Sequence, residues 1–189
     1  TALAEVYAVD PSEVVPEEVW ATVRLACGAT LAAARHTLRH ARPALNLLGG
    51  FHHATPKLGG GFCPVNDVAV AVAALRSEGF AGDVAVLDLD AHPPDGVAAC
   101  FEGDRSVRVA SISGVDWGPL PGVDETVLPP GSGDDEYLAA LRRLLARFAP
   151  AALNFVIVGG DVLAGDRHGG LALSLAGVAR PQLGHAELE

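Results

Sequence analysis

Val84-Ala85-Val86-Leu87-Asp88-Leu89-Asp90-Ala91-His92 opens as an unbroken apolar run and ends in alternating acidic and imidazole side chains. A short apolar run of this kind reads as a strand buried on both faces, and Asp90 and His92, two apart, then project to the same side of its exit. Outward from it, Val107 to Ile112 reads as another strand, and so does Phe155-Val156-Ile157-Val158, which runs into Gly159-Gly160-Asp161. Ala44 to Leu48, ending at Gly49-Gly50 ahead of Phe51-His52-His53, is too short for a helix and is expected to be a further buried strand.

Helical patterns separate these runs. From Pro16 to about Arg42, apolar and small residues recur at Val19, Val23, Leu25/Ala26, Thr30, Ala33/Ala34 and Leu38. Glu17 and Glu18 in the first turn and Arg39 and Arg42 in the last complement the helix dipole. Asn66 to Ser77 presents Val68, Val72 and Leu75 on one face and is stopped by Gly79. Asp134 to Phe148 places Leu138, Leu141, Leu145 and Phe148 inward and ends before Pro150, while the stretch from about Ser113 to Gly133, with Trp117, reads as loop. Buried strands alternating with amphipathic helices specify the α/β class, a mostly parallel sheet flanked by helices on both faces. No internal repeat or interdomain linker interrupts the chain, so residues 1–189 are expected to form one domain.

Thirteen basic against 23 acidic side chains among 189 residues leave a net charge of −10. The excess argues against direct nucleic-acid binding, which needs clustered Lys and Arg, and the longest basic cluster is Arg142-Arg143. Half the residues are hydrophobic, enough for a core, yet no apolar run reaches the roughly 18 to 20 residues of a membrane helix. Cys27, Cys63 and Cys100 form no C-x-x-C pair, which fits buried small hydrophobes in a reducing cytoplasm. No methionine occurs, and the chain opens at Thr1 and closes at Glu189 without a recognisable signal, so it is expected to be an excised segment, with initiator removal before Thr1 as the alternative.

In parallel sheets, ligands bind beyond the carboxyl ends of the strands. Three runs deliver His or Asp there: His52 and His53, then Asp88, Asp90 and His92, then Asp161. Asp90, His92 and Asp161 offer two carboxylates and one imidazole, a set that leaves a tetrahedral zinc ion one open position for water. One histidine of the 52/53 pair can take a proton from activated water while the other holds or donates one, with Asp88 and Asp95 available to orient the rings. Taken singly, each Asp would read as a cap and the histidines as loop residues. His36 and His40, at i, i+4, are expected to face solvent, and His168 and His185 have no context. Gly59-Gly60-Gly61 is followed by no G-K-[ST] and opens no G-x-G-x-x-G helix, which sets nucleotide binding aside.

The chain resembles the histone deacetylase family of the arginase/deacetylase fold group. The resemblance rests on Gly49-Gly50-Phe51-His52-His53-Ala54, Gly61-Phe62-Cys63-Pro64-Val65-Asn66-Asp67, Val86 to Gly96, and Gly159-Gly160-Asp161-Val162-Leu163-Ala164-Gly165-Asp166, and runs from about residue 17 to 180. It implies a three-layer α/β sandwich, here incomplete at both ends, and a zinc-dependent hydrolase of acyl-amide bonds. Asp90, His92 and Asp161 match the metal ligands. His52 and His53 match the catalytic pair, with Asp88 and Asp95 as their respective partners and His53 the more exposed of the two. Gly61 and Phe62 match the wall of an acyl-lysine tunnel, and Trp117 is a looser match to the facing aromatic. Asp88, Asp90, His92 and Ser111 match positions that also hold a structural monovalent cation, usually potassium.

The chain departs from the family pattern in three places. Pro93 and Pro94 stand where the family often carries His and Gly, and the loop is stiffened. The family's catalytic tyrosine follows a Gly-rich segment beyond the last matched motif, whereas Tyr7 and Tyr137 stand elsewhere. The family domain is also roughly twice this length. The expected function is therefore removal of an acyl group from an acylated amine such as acetyl-lysine. The alternatives are a catalytically impaired metal-binding chain and a binuclear manganese ureohydrolase. The latter would need a D-x-D in the last motif, where Asp161 stands alone. Incomplete sheet edges imply a tendency to associate.

Overall fold

The computed structural model describes residues 2–179. The first helix, α1, covers Ala2–Tyr7, and a short 3-10 turn follows at Pro11–Glu13. Helix α2 spans Pro16–His40, with proline in its first turn, where no intrahelical donor is lost. It ends at Ala41, whose left-handed backbone lets its N–H reach the Thr37 carbonyl. Helix α3 spans Asp67–Ser77 and is capped by Asn66, whose side-chain oxygen accepts from the Ala69 N–H at 3.0 Å. Strand β1 (Val84–Leu89), helix α4 (Asp95–Cys100), strand β2 (Val107–Ser113), strand β3 (Val123–Val127), helix α5 (Asp134–Arg147), strand β4 (Leu153–Val158) and helix α6 (Leu175–Ala179) complete the order.

The strands form one four-stranded parallel sheet, in the order β3-β2-β1-β4, flanked by helices. β2 and β3 run parallel, with Val109 opposite Val123 and Ser113 opposite Val127. The chain divides into two compact units. One comprises, among the described residues, 2–85, 94–107 and 151–155; α2 packs on α3 within it, and Ala34, Leu75 and Leu153 form a core with Leu31, Phe80 and Phe155. The other comprises, among the described residues, 86–93, 108–150 and 156–179. Its core joins Leu89, Ile112, Tyr137, Leu141, Leu144 and Leu173. Among the described residues no helix is long and apolar enough to cross a membrane.

Three sequence expectations need correction. Ala44 to Leu48 forms no strand: Leu45 and Leu47 are 75% and 91% exposed. Asn46 explains this locally, because its side chain bonds the Leu48 N–H and carbonyl and the Ala26 carbonyl, offering the backbone an alternative to a strand ladder. The region expected to be loop up to Gly133 contains β3, an edge strand whose Asp124, Glu125 and Thr126 hid it from an apolar-run criterion. Leu145 points outward, while Tyr137 and Leu144 take the inward positions on α5.

Candidate active site

In the second unit, the exit of β1 and the turn after β4 bring Asp90, His92 and Asp161 together, with one ligand atom of each lying within 4.8 Å of the others. The imidazole Nδ1 of His92 lies 2.8 Å from Asp161 Oδ2 and 3.1 Å from Asp90 Oδ1. The carboxylates are themselves fixed by backbone donors: the His92 N–H reaches Asp90 Oδ1 at 2.9 Å and the Ala91 N–H reaches Asp161 Oδ1 at 3.3 Å. Hydrogen bonds donated by the ring to Asp161 first and Asp90 second push the His92 imidazole pKa up to about 10. Two carboxylates thus converge on one nitrogen in a place that favours positive charge. Gly159 is required here, because a side-chain carbon on it would overlap Asp161 Oδ1 and Asp90 Oδ2. The donor set and its spacing fit a divalent ion with an open coordination position.

Around this cluster, Asp88 is fully buried and accepts the Asp90 N–H at 3.0 Å. Ser111 is also fully buried, and its hydroxyl has no hydrogen-bond partner among the described residues. A buried hydroxyl oxygen without a partner suits a bound cation. Trp117 lies with its ring centroid 6.0 Å from that of His92. Tyr137, unsuspected as part of these surroundings, is buried on α5 with its hydroxyl donating to the Leu89 carbonyl at 3.3 Å. Burial first, and then Asp88, Asp90 and Asp161, push that hydroxyl's pKa far up, so it stays protonated. The only sequence signal for it was its place on the face shared with Leu141 and Leu144.

In the first unit, His52 and His53 stack with ring centroids 4.0 Å apart, and His52 is buried. His53 Nδ1 lies 2.6 Å from Asp95 Oδ1, a contact across 42 residues of sequence. The pair's backbone is closely packed. The Val97 N–H donates to the His52 carbonyl at 3.0 Å, and a side chain on Gly96 would strike the His53 and Ala54 backbone. Gly61, in a left-handed conformation at φ +49°, lies against the His53 ring, where a side-chain carbon would overlap Cδ2. Phe62 beside it is exposed, and its N–H donates to the Val6 carbonyl, which ties α1 to this loop. Pro93 and Pro94 are both buried, and Pro94 precedes α4 directly. His36 and His40 are exposed on α2, as expected, whereas His168 sits in an exposed turn held by Asp166. His185 lies outside the described residues.

A parallel α/β sheet carrying an Asp-His-Asp cluster at a strand exit forms a candidate metal site. The chain belongs to the histone deacetylase family: the histone deacetylase domain matches residues 2–183. It is 36% identical over 171 residues to an uncharacterized protein of Picosynechococcus, covering 82% of this chain and 53% of that one. It is 34% identical to an acetylpolyamine amidohydrolase of Burkholderia pseudomallei, covering 93% of this chain and 56% of the relative. Among solved structures, the HDAC homolog from Aquifex aeolicus superposes with a TM-score of 0.73 at 28% identity, covering 84% of this chain and 47% of that one. The chain spans about half the length of the relatives it matches. Relatives within the family are named as deacetylases and amidohydrolases.

Proposed function

We propose that this chain carries the metal and proton-transfer residues of a zinc-dependent amidohydrolase that removes an acetyl group from an acylated amine such as acetyl-lysine. The observation that carries the reading is the cluster of Asp90, His92 and Asp161. These residues would hold one zinc ion, which supplies Lewis acidity and lowers the pKa of water when bound. Asp95 at Nδ1 of His53 holds a proton on that nitrogen and leaves Nε2 as the basic atom that accepts a proton from attacking water. By the family resemblance, His52 and Asp88 would manage the second proton, and Gly61, Phe62 and Trp117 would be the substrate-facing residues. Asp95 follows His92 by three residues, so one short segment of chain carries both a metal ligand and a proton-transfer partner. Asp88, Asp90, His92 and Ser111 would hold a potassium ion, a role supported by the partnerless Ser111 hydroxyl. We place residues 1–189 in one partial domain, acting in the cytoplasm on an acylated amine rather than on nucleic acid.

A second reading, a metal-binding chain of low turnover, is favoured by one feature. The Tyr137 hydroxyl is buried and committed to the Leu89 carbonyl, and so is not available to a developing oxyanion. A donor to a developing oxyanion is typically worth about 10² to 10³ in rate. Elemental analysis joined to hydrolysis of acetyl-lysine and acetylpolyamine substrates separates the readings. We expect about one equivalent of zinc, lost in Asp161→Ala, and turnover reduced roughly 10²-fold or more in His53→Ala with metal retained. Metal without turnover would support the second reading, and two equivalents of manganese would support a ureohydrolase.

A further inference from the structure

We propose that Asp67 is a positioning residue for the His52-His53 pair, acting through the backbone of the turn that precedes it. Asp67 is fully buried at the start of α3. Its carboxylate accepts from the Phe51 N–H at 2.7 Å and the Gly50 N–H at 3.1 Å, the two backbone donors immediately ahead of His52. A third donor, the Thr30 hydroxyl on α2, reaches the same carboxylate at 2.6 Å. The His52 N–H closes the turn onto the Gly50 carbonyl at 2.8 Å, and Gly50 holds φ at +80°.

Space around the carboxylate is already taken. A side-chain carbon on Gly49 would meet Asp67 Oδ2 at 2.6 Å, Asn46 Nδ2 at 2.7 Å and Thr30 Oγ1 at 3.0 Å. Asn46 in turn donates to Thr30 Oγ1 at 2.8 Å. On its other side the pair is held by the start of α4, through the Val97 N–H and the missing side chain of Gly96. The peptide carrying both imidazoles is therefore gripped from two directions, and on the Asp67 side the grip is one charged acceptor meeting two backbone donors. Hydrogen bonds to an ionised acceptor are short and strong, and proton transfer is sensitive to displacements well under an ångström. An ordinary capping residue would bond its own helix, but here the Asn66 side chain caps α3 and the Asp67 carboxylate points to another segment.

The inference rests on the proposed reading of the pair as proton carriers, so its test is read in two ways. In the full chain, the Hδ1 proton of His53, held in the 2.6 Å contact with Asp95, provides an NMR reporter that needs neither metal nor substrate. Asp67→Asn keeps the volume but turns a donor toward a donor. We expect that Hδ1 resonance to shift or broaden and, in active protein, kcat to fall about tenfold or more, with KM within about twofold and metal content unchanged. Asp67→Glu, which restores the charge, should recover part of both. Thr30→Val removes one donor and should move the resonance the same way by less; it carries the test if Asp67→Asn does not fold. Leu144→Val, chosen for a similar loss of stability, should leave the resonance in place. An unmoved His53 resonance in the Asp67 or Thr30 variants would overturn the proposal. Absence of turnover in the unaltered chain would count against the amidohydrolase reading alone, since the resonance reports on the pair whatever the reaction.

Discussion

At the scale of single residues, the chain puts carboxylates where backbone donors can hold them. Asp90 accepts the His92 N–H, Asp88 the Asp90 N–H, and Asp67 those of Gly50 and Phe51. Glu125 is the contrast. Burial raises its carboxyl above the ordinary glutamate value of 4.5, and the Ser113 hydroxyl donating at 3.2 Å only partly offsets it. The folded chain therefore binds this proton more tightly than the unfolded chain. Stability from this group is fully present below about pH 4.5 and falls as pH rises through the raised folded value. Glu125→Gln removes the linkage, so its denaturation midpoint relative to the wild type should improve from pH 4.5 to 7. A difference between the two proteins that does not change over that range would show that Glu125 titrates normally.

At the scale of elements, amphipathic helices were the most legible parts of the chain and short polar strands the least. Helix α5 shows why a single position can still be misjudged. Leu144 and Leu145 are adjacent, and the helical period alone does not say which of them meets the sheet. Leu144 is fully buried, so Leu144→Ala should cost about 2 to 5 kcal/mol in chemical denaturation. Leu47 lies in a segment that resembled a strand yet is almost wholly exposed, and Leu47→Ser should change stability by no more than about 0.5 kcal/mol. If the two costs came out alike, the assignment of these residues to core and surface would be wrong.

At the scale of the whole molecule, an edge strand sets against the acidic charge. β4 ends the strand order, and Val156 and Val158 on it are 56% and 46% exposed. An exposed apolar strand at a sheet edge is a template for pairing with another chain, while a net charge of −10 opposes close approach. Sedimentation should show an average mass that rises with protein concentration, more steeply at high salt, where the charge is screened. Val156→Lys should reduce that association, and equal association in the variant would place the contact elsewhere.

The sequence by itself determined the α/β class, the helices α2, α3 and α5, the strands β1, β2 and β4, and the residue types from which a metal cluster can be built. These features are local: apolar period, caps and the alternation of Asp90 and His92 are all carried by near neighbours. The Gly-Gly-Asp at the end of its own strand marks Asp161 in the sequence, but its approach to His92 spans 69 residues and belongs to the folded chain. Tertiary structure decided the rest, for the same physical reason in each case. Asn46 turned an apolar pentapeptide into a loop by bonding α2, β3 became a strand by pairing with β2, and Asp67 acquired its role from donors 16 and 17 residues away. Such partners are chosen by which polar groups must be satisfied once the chain is compact, and no local period records that choice.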